Sequence, residues 1–161
     1  MEREGHMGTK LFLGAIAVLG LGLLQGGVAS VVMLIADHLP DQDQYIPDSI
    51  VHHRTQTHSV TFVLVVAFVA ASTIAYPTRL GQRVALQYDV LSTALVSPSE
   101  VWLFVGGTVV VALLGHIATD VLTVGRGYKV KLFWPFSSWT YALGLCTSDD
   151  QWWNGILLSS G

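Results

Sequence analysis

The apolar residues of this chain are concentrated in a few long runs. The first two, residues 11–24 and 28–36, flank a Gln-Gly-Gly tripeptide. They could form one tilted span, because a bilayer core needs about 20 helical residues, or two shorter helices in a hairpin. We favour the hairpin, with the chain reversing at the tripeptide.

A third apolar run, residues 59–75, predicts a spanning helix. It ends at Tyr76-Pro77, and proline is a frequent helix terminator. Residues 79–96 then mix charged and amide side chains with leucine and valine. That pattern is typical of an amphipathic helix lying in the membrane interface.

A Ser-Pro-Ser-Glu sequence predicts the start of the next helix, with Ser97 or Ser99 as the cap and Glu100 in the first turn. It leads into residues 101–124, which form a second clear span. After a cationic turn, residues 132–145 are aromatic and apolar, as segments at a membrane interface often are.

The composition supports a membrane protein. Apolar residues make up 52% of the chain and charged residues 12%, whereas an ordinary soluble domain has about 25% charged residues. We predict one all-α domain over residues 1–161, an integral membrane helical bundle of about four spanning or half-spanning helices plus an interfacial amphipathic helix. The net charge of −3 and the lack of a basic stripe exclude a nucleic-acid partner recognised by charge.

The hairpin interpretation places four polar segments on one membrane face. They are the amino terminus with His6, the aspartate-rich loop, the helix end that carries Asp120, and the turn at Lys129. That face receives six basic residues and the other receives two: Arg3, Lys10, Arg54, Arg126, Lys129 and Lys131 against Arg79 and Arg83. Basic residues are enriched in cytoplasmic loops, so we predict that the shared face is cytoplasmic.

Several side chains next to the apolar runs could bind a metal ion. His116 and Asp120 are four residues apart, so on a helix they share a face and could ligate one ion. A hydrogen bond between them is the alternative. His53 and His58 lie where the polar loop enters the third apolar run, and a neutral imidazole there could reach the same ion.

The polar loop contributes carboxylates. Asp41 and Asp43 are two residues apart after a proline, and oxygen ligands at this spacing can share a cation. Taken alone, the segment would be an ordinary aspartate-rich surface loop. At the end of this loop, Thr57 or Ser59 could cap the third helix.

Together these motifs resemble a known family. They are Leu-Pro-Asp-x-Asp at 39–43, His-Arg-x-x-Thr-His-Ser at 53–59, His-x-x-x-Asp-x-Leu-Thr at 116–123 and Trp-Pro-Phe at 134–136. The set looks like the membrane-bound metal-dependent hydrolase family, also described as LexA-binding, inner-membrane-associated hydrolases. Gln44 and Thr55 depart from its pattern, because many members have histidine and glycine there. A fainter similarity links the order of His and Asp to zinc phospholipase C and related single-strand nucleases.

The resemblance implies a hydrolase that uses a divalent metal ion, with Zn²⁺ favoured, on an ester or phosphoester such as a lipid headgroup. The ligands would be His6, Asp41, His58, His116 and Asp120, with Asp43 and His53 in a second site or an outer shell. Asp43 would orient the attacking water or accept its proton, and Arg54 would bind an anionic group of the substrate. An ion or proton transporter and a metal-stabilised membrane scaffold are the alternatives.

Overall fold

The computed structural model describes residues 3–47, 49–52, 54–87, 97–124 and 129–147. Within these ranges the chain forms four α-helices, one 3-10 helix and two strands of two residues each. The helices are α1 (Arg3–Leu21), α2 (Leu23–Ala36), α3 (Val60–Gln87) and α4 (Pro98–Leu122), with the 3-10 helix Pro40–Tyr45 between α2 and α3. The strands β1 (Thr123–Val124) and β2 (Cys146–Thr147) pair in parallel.

Three helical segments are long and apolar enough to cross a membrane: Leu23–Tyr45, Val60–Gly81 and Pro98–Leu122. A shorter apolar helical segment, Thr9–Leu21, accompanies them. Large apolar side chains on these helices are exposed on the outside of the bundle. Such side chains can face lipid, because there is no water in the bilayer core. The predicted all-α membrane bundle is therefore confirmed.

The first two helices form a hairpin, but the chain does not reverse at the predicted tripeptide. The break falls at Gly22, whose φ of 82° lies in the left-handed region that glycine adopts without steric cost. Gly26 is instead needed for packing, because a Cβ atom there would lie 2.3 Å from the Cα of Val18. Across the same interface, the Ser30 hydroxyl donates to the carbonyl oxygen of Gly14 at 3.3 Å.

The predicted end of the third helix at Tyr76-Pro77 is wrong. α3 contains Pro77 and continues to Gln87, so residues 79–87 extend this helix; residues 88–96 lie outside the described part. Proline removes one backbone donor, a loss that membrane helices tolerate when local groups compensate. Next to it, the Thr78 hydroxyl donates to the carbonyl oxygen of Ile74 at 3.0 Å.

Side-chain caps fix where α3 and α4 begin. Glu100 accepts a hydrogen bond from the backbone N–H of Ser97 at 3.0 Å, which is half of a capping box and confirms the predicted helix start. Ser59 accepts from the backbone N–H of Phe62 at 3.2 Å. Of the two caps considered for α3, the structure uses Ser59.

α4 is the central helix, since it contacts α1, α2 and α3. Small residues allow these close approaches: Gly106 lies against Ala71 of α3, and Gly115 lies against Leu13 of α1. Leu113, between the two glycines, is fully buried. The carboxyl-terminal half of α4 therefore runs through the middle of the bundle.

Residues 129–147 cover one end of this bundle. The backbone N–H of Val60 donates to the carbonyl oxygen of Leu132 at 2.9 Å, and that of Leu143 donates to the carbonyl oxygen of Val121 at 2.7 Å. The segment therefore ties the start of α3 to the end of α4. Three of its aromatic side chains, those of Phe133, Phe136 and Trp139, are exposed, as expected at a membrane interface.

Candidate metal centre

Four candidate ligands meet at the end of the bundle where α2 ends, α3 begins and α4 ends. Asp41 lies on the 3-10 helix, His58 lies directly before the cap of α3, and His116 and Asp120 lie on the last turns of α4. The helical spacing predicted for His116 and Asp120 holds, and the hairpin brings the other segments to the same end.

Both imidazoles present their Nε2 atoms to the same two carboxylates. Asp41 Oδ1 lies 3.8 Å from Nε2 of His58 and 3.5 Å from Nε2 of His116. Asp120 Oδ2 lies 3.1 Å and 3.6 Å from the same two nitrogen atoms. The donor atoms of Asp41, His58 and His116 all lie within 4.8 Å of one another, close enough to hold one metal ion.

These separations are close to those between neighbouring ligands of a bound metal ion. Zinc–ligand bonds of 2.0–2.2 Å place neighbouring ligand atoms about 3.3–3.6 Å apart. The four nitrogen–oxygen separations span 3.1 to 3.8 Å. Two imidazoles with carboxylate oxygens are also a donor set that zinc commonly adopts. Asp41, His58 and His116 could therefore hold a metal ion, and their donor set is one that fits zinc.

The centre is closed on most sides. The side chains of His58 and His116 are fully buried and that of Asp120 is 1% exposed, whereas that of Asp41 is 37% exposed. A substrate that reaches the centre would therefore enter beside Asp41.

The outer nitrogen of His116 is held by a buried carboxylate. Asp37, which follows α2, lies 3.2 Å from His116 Nδ1 through its Oδ1 atom. Its other oxygen lies 2.8 Å from Nζ of Lys10 on α1, and both side chains are buried. A carboxylate behind a histidine fixes the ring and its tautomer, so that Nε2 faces the metal position.

His58 has a corresponding carboxylate behind it. Asp43 is fully buried and lies 3.6 Å from His58 Nδ1, and the Thr57 hydroxyl contacts both groups. Burial alone would lower the pKa of His58, but hydrogen bonding to Asp120 and Asp43 outweighs burial and raises this pKa above its usual 6.5. Asp43 thus lies on the outer edge of His58, away from the edge that faces Asp41.

Arg54 closes the side next to Asp120. Its Nη2 atom lies 3.2 Å from Asp120 Oδ1, and its backbone N–H donates to Asp43 at 3.2 Å. The residue has a φ of 58°, a left-handed conformation that is uncommon for a residue other than glycine. Such conformations persist only where surrounding contacts impose them.

The remaining predicted ligands cannot be placed. His53 and the side chain of His6 lie outside the described residues, although the backbone of His6 belongs to α1. The sequence interpretation also missed two participants, Lys10 and Asp37. A signal for them existed: in an antiparallel hairpin, a lysine near the start of the first helix and an aspartate just after the second lie at the same depth.

The carboxylate behind His116 leads to a prediction on metal affinity. Replacing both Asp37→Asn and Lys10→Met, which avoids an unpaired buried ammonium, is expected to weaken zinc binding about 10- to 100-fold. Competition with a chelator of known affinity would measure the loss. Lys10→Met alone keeps the contact between Asp37 and His116 and should cost less. Equal affinity in the double variant and the unmodified protein would contradict the role assigned to Asp37.

Comparison with known proteins supports the membrane assignment. No significant match to the chain was found among curated proteins or among solved structures. A family model described as YdjM inner membrane protein matches residues 1–160, almost the whole length. This match agrees with the membrane-bound family that the motifs resemble and with the several apolar helices. The chain is a multi-pass membrane protein and belongs to the YdjM inner membrane protein family.

Proposed function

We propose that the protein is a metal-dependent hydrolase of the inner membrane that cleaves an ester or phosphoester bond. One observation carries the proposal. Two histidine nitrogen atoms and two carboxylate oxygen atoms, contributed by separate parts of the chain, face one another at 3.1 to 3.8 Å. The open side beside Asp41 supports a catalytic role, because catalytic metal centres keep one position for water or substrate.

The bound ion would be held by Asp41, His58 and His116, whose ligand atoms lie within 4.8 Å of one another, with Asp120 beside them and one position left for water. A zinc ion in such a site supplies a nucleophile at neutral pH, because it lowers the pKa of a coordinated water to about 7. The carboxylates behind the two histidines keep the rings in the orientation that binding requires. Because most of the centre is buried, the charges act there in a medium that screens them weakly.

The geometry changes the roles that the sequence assigns to the carboxylates. Asp43 was the predicted proton acceptor, but its carboxylate is fully buried behind His58. We assign it the role of positioning His58, together with Thr57. Asp41 is the carboxylate on the open side, and its Oδ1 atom faces the two histidines. We assign to its other oxygen atom the orientation of the attacking water and the acceptance of its proton.

We further propose that the centre lies on the cytoplasmic face. Lys129 and Lys131 lie in the segment that covers this end of the bundle, and Lys131 donates its backbone N–H to the carbonyl oxygen of Arg54. An excess of basic residues near span ends is typical of cytoplasmic loops.

A direct test is hydrolysis by protein that has been stripped of metal and reloaded with zinc in detergent. Chromogenic carboxylic esters, phosphomonoesters and phosphodiesters would be offered in turn, and we expect zinc-dependent turnover of at least one class. Asp41→Asn, compared with the unmodified protein at equal zinc content, should lower the kcat about 10²- to 10⁴-fold, the range usual for general acid–base groups. Gln44→Ala, on the exposed side of the same 3-10 helix, serves as the matched control and should keep full activity.

The result that rejects the hydrolase is bound zinc with no turnover above the metal-free protein for any of the three classes. If the same zinc-loaded protein carried an ion current in reconstituted bilayers, the transporter alternative would replace it.

A further inference from the structure

The guanidinium of Arg54 is only partly used by the protein. Its Nη2 atom contacts Asp120, but its Nε and Nη1 atoms are buried and have no hydrogen-bond partner among the described residues. The side chain as a whole is 12% exposed. Burying donors without partners costs free energy, so native structures seldom leave them in this state.

The position of these donors beside the metal centre is informative. Asp120 offers Oδ1 to Arg54 and Oδ2 to His58 at 3.1 Å, so one carboxylate separates the guanidinium from the candidate ligands. A guanidinium has two planar forks, Nε with Nη2 and Nη1 with Nη2. Asp120 takes one hydrogen of Nη2, so the second Nη2 hydrogen and a hydrogen of Nε or Nη1 beside it remain in a defined plane. Such a fork matches the spacing of two oxygen atoms of a tetrahedral anion, which arginine binds in a bidentate manner.

The backbone of Arg54 keeps the side chain in this place. The residue stands in the left-handed conformation, with its N–H on Asp43 and its carbonyl oxygen on Lys131. Holding a residue with a Cβ atom there costs free energy, which a loop without a need for a side chain would avoid by using glycine. The chain therefore maintains a strained arginine next to the metal centre, as expected for a residue that binds a ligand.

The charge at the centre permits an anion to bind once a metal is present. Among the described residues, the cluster contains two cationic side chains, those of Arg54 and Lys10. It contains four carboxylates, those of Asp37, Asp41, Asp43 and Asp120. A divalent ion would balance the remaining negative charge. A phosphate group could then bind between Arg54 and the ion without facing a net negative field.

The loop between Asp41 and Arg54 indicates where such an anion would come from. Tyr45, Ile46 and Ile50 lie in the segment between Asp41 and Arg54, and Tyr45 and Ile50 are 84% and 69% exposed. Exposed aromatic and aliphatic side chains at the end of a membrane bundle lie at the level of the lipid headgroups. Both a lipid phosphate and a free phosphate compound can reach this level.

We propose that Arg54 forms an anion site for a phosphate group next to the metal centre, so that the substrate is a phosphoester rather than a carboxylic ester. As an assignment of substrate class, the proposal rests on the proposed hydrolase. As an anion site, it can be tested by binding alone, with no need for turnover.

The experiment measures phosphate binding to zinc-loaded protein by calorimetry. The first probe is inorganic phosphate, added to protein in detergent. The second is a phosphatidylcholine nanodisc with or without phosphatidic acid. We expect at least one probe to bind, and Arg54→Gln to weaken that binding about 10- to 100-fold, the loss expected for charge-assisted hydrogen bonds. Arg54→Lys should fall between, because an ammonium keeps the charge without the planar fork.

Two controls make the result specific. Lys129→Gln removes an exposed cation at the same end of the bundle and should leave binding unchanged. Zinc content is measured in each variant, and if Arg54→Gln loses its zinc, Arg54→Lys at full zinc content takes its place. Dependence on Arg54 for inorganic phosphate identifies a soluble ligand, and dependence only for phosphatidic acid identifies a lipid headgroup. Either supports the proposal.

The proposal is overturned if removing the guanidinium leaves both probes bound as tightly as before, or if Lys129→Gln causes an equal loss. Failure of the hydrolase is a separate outcome. Phosphate binding through Arg54 without hydrolysis of any ester would reject the hydrolase and keep the anion site. Hydrolysis of carboxylic esters without phosphate binding would reject the anion site and keep the hydrolase.

Discussion

Replacing His116 with alanine is expected to remove the bound metal from protein purified in detergent. His116 supplies one nitrogen ligand from the centre of the bundle, and its ring is fully buried against Asp37. Losing a partner behind a ligand already costs about 10- to 100-fold in affinity, so losing the ligand itself should cost more than about 100-fold. Elemental analysis of the unmodified protein should give about one zinc ion per chain, and that of the variant almost none.

The chain offers a matched control for this experiment. His52 is an exposed histidine in the loop that precedes His58, and His52→Ala should keep its zinc. His58→Ala should behave as His116→Ala does, because His58 supplies the other nitrogen ligand. Retention of zinc in both ligand variants, or its absence from the unmodified protein, would remove the metal centre and the hydrolase with it.

Adding one methyl group at Gly26 is expected to disrupt the hairpin of α1 and α2. The new Cβ would lie 2.3 Å from the Cα of Val18 and 2.6 Å from the carbonyl oxygen of Ala17. Both contacts are with backbone, which cannot move aside as a flexible side chain would, so the two helices must separate. Overpacking of this kind costs about 3 kcal/mol, and the apparent Tm of Gly26→Ala should fall by roughly 6–12 °C.

Gly27, the neighbouring glycine, is the matched control, because alanine there also restricts the backbone but causes no steric contact. A Cβ at Gly27 would meet nothing within 4 Å. Since alanine is favoured over glycine by about 0.5–1 kcal/mol within a helix, Gly27→Ala should keep or raise the Tm. Thermal unfolding in one detergent, followed by circular dichroism, compares the two variants. Equal Tm values for Gly26→Ala and Gly27→Ala would show that α1 and α2 do not pack closely at Gly26.

The sequence was sufficient for the architecture but not for the ends of its elements. Long apolar runs predict spanning helices because a bilayer admits few other structures. Glycine is ambiguous, since it serves both chain reversal and close packing. Gly22 does the first and Gly26 the second, and only the position of the neighbouring helix distinguishes them. Pro77 was misleading for a similar reason, because a membrane helix can pass through a proline.

At the metal centre, periodic structure was predictable and irregular structure was not. His116 and Asp120 share a helix face by spacing alone, and the structure keeps them together. Asp41 and Asp43 lie on a 3-10 helix, which has three residues per turn. Side chains two residues apart therefore point to different sides of the helix. One carboxylate faces both metal-facing nitrogen atoms, while the other lies behind His58. No periodicity in the sequence could assign these two roles.

Contacts between distant segments were the hardest to foresee. The pairing of Lys10 with Asp37 depends on the hairpin register, which the misplaced reversal obscured. Arg54 was predicted from the sequence to bind an anion, but its left-handed backbone conformation cannot be predicted from the residue type. Tertiary contacts with the aspartate loop and the carboxyl-terminal segment impose that conformation.

The order of the candidate ligands along the chain has a consequence for biogenesis. Asp41 and His58 precede α4, whereas His116 and Asp120 lie near its carboxyl-terminal end. During synthesis, the first pair therefore leaves the ribosome some sixty residues before the second pair is available. An ion cannot be fully coordinated until α4 has entered the bilayer beside the hairpin. Binding of a metal ion would therefore require that α4 has been inserted in the correct orientation.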